Sequence, residues 1–188
     1  MDLTLFNAVD NKLVSNKKLL AQDGAEWKYF IEFATGYFKN RDIKNPVVVE
    51  IGIMKGAQML YYKELMDAVY VGIDCNVNAE PHLLGDSQST ETVERLKNML
   101  AGRDIDLLFI DGNHSYEAAK RDYELFEPLT KHLIAIHDIR ATNNSEVLRL
   151  WKEIVIDEMS IEFNRYNTSV SIPECKFVDM GIGVIVKE

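Results

Sequence analysis

The chain has 188 residues, 47% of them hydrophobic and 27% charged, which suits one soluble globular domain with a sizeable core. Its formal net charge of −9 argues against duplex DNA, RNA or an anionic membrane as the main partner, since each calls for a basic footprint. No apolar run approaches the roughly 20 residues needed to cross a bilayer, and the N-terminus lacks the make-up of a signal peptide.

Residues 1 to about 23 mix apolar and polar positions with no clean period. Glu26 to Phe38 reads as an amphipathic helix rich in aromatics, either covering one side of a sheet or forming part of a substrate lid. Pro46-Val47-Val48-Val49-Glu50-Ile51 then reads as a parallel strand buried on both faces, because its apolar run does not alternate. It breaks into Glu50-x-Gly52-x-x-x-Gly56 ahead of a helix from Ala57 to Leu65. A glycine turn there lets a ligand approach the backbone, where unpaired N–H groups open the helix.

Val69 to Asp74 forms a second strand ending in an acid, and Pro81 to Leu84 a short third one. Asp86 or Ser87 is expected to cap the helix from Thr90 to Leu100, which Ala101-Gly102 ends. The fourth strand is Ile105–Ile110, with a helix from Tyr116 to Phe126 stopped before Pro128. The fifth strand is Leu133–Ile136, and Asn144 or Ser145 opens a helix running through Val155. Two β-like segments, 174–178 and 182–186, close the chain as a hairpin through Asp179-Met180-Gly181. Strands alternating with helices predict a Rossmann-like, doubly wound α/β sheet, mostly parallel with a C-terminal antiparallel hairpin. We expect one domain over residues 1–188, with 1–45 a helical cover or lid and 46–188 a ligand-binding core. The remote cysteines Cys75 and Cys175 suit a reducing cytoplasm, although a disulfide between them stays open.

In such a sheet ligands bind beyond the carboxyl ends of the strands. Each strand end here carries a polar residue: Glu50, Asp74, Asp86, Asp111 and the pair His137-Asp138. Asp74 is placed to accept the hydroxyls of an adenosine ribose, and Asp86 to accept from an adenine amino group, unless these residues only cap or turn the chain. Asp111 and Asp138 end strands that lie about 4.8 Å apart if adjacent. They can share a hard divalent cation such as Mg²⁺, cap helices, or bind substrate directly. His137 would complete a metal shell, and would favour Mn²⁺ or Zn²⁺. His114 is a candidate general base or a capping residue, whereas His82 and His132 read as structural.

Glu50-x-Gly52-x-x-x-Gly56, Asp74 and Gly85-Asp86-Ser87 resemble the cofactor motifs of class I S-adenosylmethionine-dependent methyltransferases. The stretch Asp106 to Glu117 with Asp122, Pro128-Leu129, His137-Asp138-Ile139 and Leu150 to Ile154 is similar to one branch of them. That branch holds cephalosporin-hydroxylase-like proteins and metal-dependent sugar and macrolide O-methyltransferases. The resemblance implies a cofactor site of Glu50, Gly52, Gly56, Asp74, Asp86, Ser87 and Asp111. Within it Gly52 and Gly56 would border the methionine end, and Glu50 would anchor the glycine loop or the amino group. It further implies a Mg²⁺ or Mn²⁺ held by Asp111, His137 and Asp138, with His114 and Asp111 catalytic toward a small hydroxylated acceptor or sugar. Two departures stand out: Thr130-Lys131-His132 replaces the family's Pro-Gly-Gly turn, and Ile139 stands where catechol-type enzymes have an amide. The alternatives are a NAD-dependent oxidoreductase, to which Gly52-x-x-x-Gly56 is a poorer match, and a non-catalytic adenosine-cofactor-binding protein.

Overall fold

The computed structural model describes residues 3–15, 20, 22–140, 145–164 and 180–187. Its helices are α1 (Leu3–Ser15), α2 (Gly24–Asn40), α3 (Gln58–Met66), α4 (Thr90–Leu100), α5 (Tyr116–Phe126) and α6 (Ser145–Ile154). Its strands are β1 (Val47–Ile51), β2 (Val69–Asp74), β3 (Leu83–Leu84), β4 (Ile105–Ile110), β5 (Thr130–His137), β6 (Ser160–Phe163) and β7 (Ile182–Val186). They form one sheet in the order β3-β2-β1-β4-β5-β7-β6. The first five strands pair in parallel, whereas β7 runs antiparallel to both β5 and β6.

The apolar runs fold this way because both faces are covered. Val48, Leu107, Phe109, Leu133 and Ala135 meet α1, α2 and α3 on one side. Val47, Val49, Leu108, Ile134 and Ile136 meet α4 and α6 on the other. On α2 the buried positions Trp27, Phe30, Ile31, Ala34 and Phe38 recur at helical spacing. Trp27 sits at the centre, 5.4–5.7 Å from the rings of Phe30, Tyr61, Tyr62 and Phe109. Helix α2 is thus built into the core.

The structure adds to the sequence reading and changes it in places. The N-terminal segment contains α1, which packs Phe6 on Tyr61 and pairs Lys12 with Glu64 at 2.9 Å. Its buried positions, Phe6, Val9 and Leu13, do recur at helical spacing, but the exposed Leu5 and Val14 beside them blur the period in the sequence. The cap of α4 is Ser89, whose hydroxyl accepts from Glu91 N at 3.2 Å, so neither Asp86 nor Ser87 caps it. On its outer side β7 pairs with β6, a strand absent from the sequence reading. The segment 174–178 lies outside the described residues, as does Cys175; Cys75 is exposed and free. Among the described residues no helix is long and apolar enough to cross a membrane.

Candidate active site

Between β1 and β4 the strand order reverses: β2 and β3 lie to one side of β1, while β4 and β5 lie to the other. A crevice opens at that point beyond the carboxyl ends of the strands. It contains a cavity of about 800 Å³ whose walls include Gly52, Asp74, Asp86, Ser87, Asp111, His114, His137 and Asp138. Gly56 and Glu50, both expected at the cofactor, are not among its lining residues.

Gly52 takes a left-handed φ of +80° where β1 turns away, and a Cβ there would lie 2.2 Å from the Asp111 carbonyl oxygen. The need for glycine therefore comes from close packing of two chain segments, β1 against the end of β4, as well as from ligand approach. Asp74 holds the same turn from β2: its Oδ2 accepts from Ile53 N at 3.1 Å and its Oδ1 from Asn76 N at 2.8 Å. Oδ2 also accepts from Met54 N at 3.4 Å, which leaves Oδ1 with a lone pair to spare. Glu50 lies beneath, fully buried, accepting from the Tyr70 hydroxyl at 2.5 Å through Oε2 while Oε1 has no partner among the described residues. Burial pushes its pKa up to about 8, and Asp111 and Asp74 add to the rise. Glu50 is therefore largely neutral near pH 7.

At the other end, Asp86 Oδ1 accepts from Gln88 N at 3.0 Å, a local turn that presents Asp86 and Ser87 to the cavity. Behind Ser87 and Gly112 sits Asp122, fully buried, with neither carboxylate oxygen in a hydrogen bond of regular geometry. Burial raises it to about 6, partly opposed by the nearby Ser87 hydroxyl.

The centre of charge is at the ends of β4 and β5. Ligand-capable atoms of Asp111, His114 and Asp138 all lie within 4.8 Å of one another. His114 reaches both acids, with Nδ1 2.9 Å from Asp138 Oδ2 and Nε2 3.4 Å from Asp111 Oδ1. Those contacts raise its pKa to about 10. His137 stands behind Asp111, its Nδ1 3.0 Å from Oδ1, and its Nε2 is buried without a partner. Burial alone would raise Asp111, but the charges and hydrogen bonds of His137 and His114 outweigh it and hold Asp111 below the usual range. Asp138 occupies a left-handed backbone conformation, φ 62°, a strain of about 1–3 kcal/mol that the packed β5 end maintains. The expected acids thus converge here, with His114 in the trio and His137 supporting it.

Residues 49–139 match the family model described as a methyltransferase domain. This stretch of the chain is a methyltransferase domain. No curated protein matches the sequence. Among solved structures, the methyltransferase is similar to a Staphylococcus aureus protein described as a caffeoyl-CoA O-methyltransferase, at 14% identity and a TM-score of 0.63 over 97% of this chain and 91% of that one. A Bacillus cereus O-methyltransferase in complex with SAH aligns at 14% identity and a TM-score of 0.53, over 100% and 92%. MycE, from the mycinamycin pathway and bound to Mg, SAH and mycinamycin VI, aligns at 12% identity and 0.60, over 96% of this chain and 54% of that one.

One residue of the methyltransferase site was not singled out in the sequence. Gln22, 6% exposed, donates from Nε2 to Asp111 Oδ2 at 2.8 Å and accepts at Oε1 from Gln58 Nε2 at 3.0 Å. A signal existed next to it: Asp23-Gly24-Ala25-Glu26 is a helix-start pattern, and Asp23 does cap α2 through Ala25 N and Glu26 N. The cap locates Gln22 at a fixed helix entrance, but nothing in the sequence says what lies opposite. His82 and His132 have the structural surroundings expected of them, His82 accepting from Gly72 N at 3.3 Å and His132 lying 3.7 Å from Asp106.

Proposed function

We propose that this methyltransferase moves the sulfonium methyl of S-adenosylmethionine to a hydroxyl of a small molecule or sugar, assisted by a divalent cation held by Asp111 and Asp138. The observation that carries this reading is the convergence of two carboxylates and an imidazole within 4.8 Å on the wall of the cofactor-sized cavity. Two nearly buried acids side by side need positive charge between them, and the protonated His114 already supplies one unit at that spot. Two carboxylates that leave room for waters suit Mg²⁺, and Mn²⁺ takes the same oxygen ligands. The Mg in the MycE complexes supports the same choice.

The cofactor would lie along Gly52, Asp74, Asp86 and Ser87, with Asp74 accepting from the ribose and Asp86 facing the adenine amino group. When bound, it supplies a methyl already activated as a sulfonium, and a divalent ion would lower the pKa of a hydroxyl bound to it. The chain's own work is alignment and proton removal. His137 orients Asp111 through Nδ1, and the left-handed turn at Asp138 aims the second acid. His114, on the cavity wall beside both, takes the acceptor's proton on a ring nitrogen. Its carboxylate contacts hold the ring protonated, so a competing cation on those carboxylates lowers its pKa into a useful range. Residues 1–188 form one domain in this reading, and the free Cys75 suits the cytoplasm.

The test is methyl transfer, in purified protein, against a panel of hydroxylated acceptors. A chelator is expected to abolish turnover while leaving S-adenosylmethionine binding intact, and added Mg²⁺ or Mn²⁺ to restore it. Asp111→Asn and Asp138→Asn should each reproduce the chelated state. His114→Ala should keep metal binding and lose about 10²–10⁴-fold in rate. Full turnover in a chelator, with no metal by elemental analysis, would end the metal reading.

A further inference from the structure

We propose that Gln22 is a positioning residue that holds Asp111 to one-oxygen ligation and so makes the site prefer a small six-coordinate cation over Ca²⁺. The inference rests on the metal reading above. Its starting point is the division of labour on Asp111. Oδ1 faces the histidines, 3.0 Å from His137 Nδ1 and 3.4 Å from His114 Nε2. Oδ2 is taken by the Gln22 amide at 2.8 Å.

The amide's orientation follows from its partners. A carboxylate only accepts, so Gln22 must present its NH₂ to Asp111, and its carbonyl then receives the NH₂ of Gln58. Gln22 and Gln58 are both buried, so a rotated amide would leave polar groups unpaired away from water. Gln58 opens α3, directly after the glycine turn, and Asp23 caps α2 next to Gln22. Two helix starts thus hold one amide, and the amide holds one carboxylate oxygen.

That restraint bears on which ion fits. Ca²⁺ collects about 6–8 oxygens, often with bidentate carboxylates, whereas Mg²⁺ requires near-octahedral geometry and keeps several waters. With Oδ2 tied back by Gln22, Asp111 would meet an ion through Oδ1, in place of the longer His114 contact, and one-oxygen ligation suits the second ion. Removing the amide frees Oδ2 and lets Asp111 turn both oxygens inward. Gln22 contacts the carboxylate away from the histidine side, so it acts through Asp111.

The experiment titrates the full-length protein with Mg²⁺, Mn²⁺ and Ca²⁺ separately by calorimetry, without cofactor or acceptor, and follows Mn²⁺ by electron paramagnetic resonance. Wild type should prefer Mg²⁺ and Mn²⁺ over Ca²⁺. Gln22→Met removes the donor at similar length. It should weaken Mg²⁺ by about 10–100-fold, the usual scale for a residue that orients a ligand, and Ca²⁺ by less, narrowing the ratio. Gln22→Glu keeps the acceptor for Gln58 and adds a carboxylate facing Asp111, and should shift the ratio toward Ca²⁺ at least tenfold; it decides the matter if Gln22→Met does not fold. A wild type that binds Mg²⁺ while both folded variants keep its Mg²⁺:Ca²⁺ ratio overturns this inference alone. A wild type that binds no divalent ion overturns it together with the metal reading.

Discussion

Glu50→Gln is the substitution whose effect the structure sets most directly. Glu50 is fully buried in the middle of the sheet edge, with Tyr70 donating to one oxygen and nothing among the described residues bonded to the other. Burial lifts its pKa from an ordinary 4.5 to about 8, with Asp111 and Asp74 adding to the rise while Tyr70 and His137 oppose it. Between those two pH values the folded protein keeps a proton that the unfolded chain has released. The folded state then binds more protons, so stability falls as pH rises through the window. The slope is at most about 1.4 kcal/mol per pH unit, giving a ceiling near ~5 kcal/mol over the whole window. Glutamine has the same shape, keeps an acceptor for Tyr70 and cannot ionise. Its stability relative to wild type should therefore rise steadily from pH 5 to pH 8, by a few kcal/mol, and level off above. Urea unfolding of both proteins at fixed ionic strength measures the difference, which cancels titrations they share. A difference constant across the range would mean that Glu50 is ionised in the fold throughout.

Asp74→Ala should weaken S-adenosylmethionine binding by about 1.5–3 kcal/mol, the scale of hydrogen bonds to a charged group, and unchanged affinity in a folded variant would remove Asp74 from the cofactor site. Gly52→Ala should lower the melting temperature whether or not cofactor is present, because the added Cβ would sit 2.2 Å from a backbone oxygen at a φ of +80°. An unchanged melting curve would show that β1 and β4 can part at no cost.

The parallel strands and the acids that end them were legible because each is a local pattern: an apolar run, then a carboxylate where the chain leaves the sheet. β4 matches its expected bounds at Ile105–Ile110, and the Ser145 helix start is also as read. What escaped depends on partners distant in sequence. Strand β6, Ser160-Ile161-Glu162-Phe163, alternates over only four residues and is at most half-buried; β7 defines it from one side, and Glu162 is held by Arg140 and the Trp151 indole. Helix α1 carries a short apolar face, Phe6, Val9 and Leu13, whose partner Tyr61 lies far along the chain on α3.

The site divides along the same line. Asp111, His114, His137 and Asp138 could be grouped because two neighbouring strand ends bring them together, and strand order follows from the alternation of elements. Their roles could not be read, because a role depends on which face of a side chain is engaged. His137 sits next to Asp138 in sequence yet its Nδ1 lies closer to Asp111, 3.0 Å against 3.6 Å, whereas the shorter contact of His114 is with Asp138. Gln22 contacts Asp111 across 89 positions, from a segment with no period of its own. An uncharged amide leaves no trace in charge, glycine or metal-spacing patterns, so only the folded chain reveals that Gln22 donates to Asp111 Oδ2.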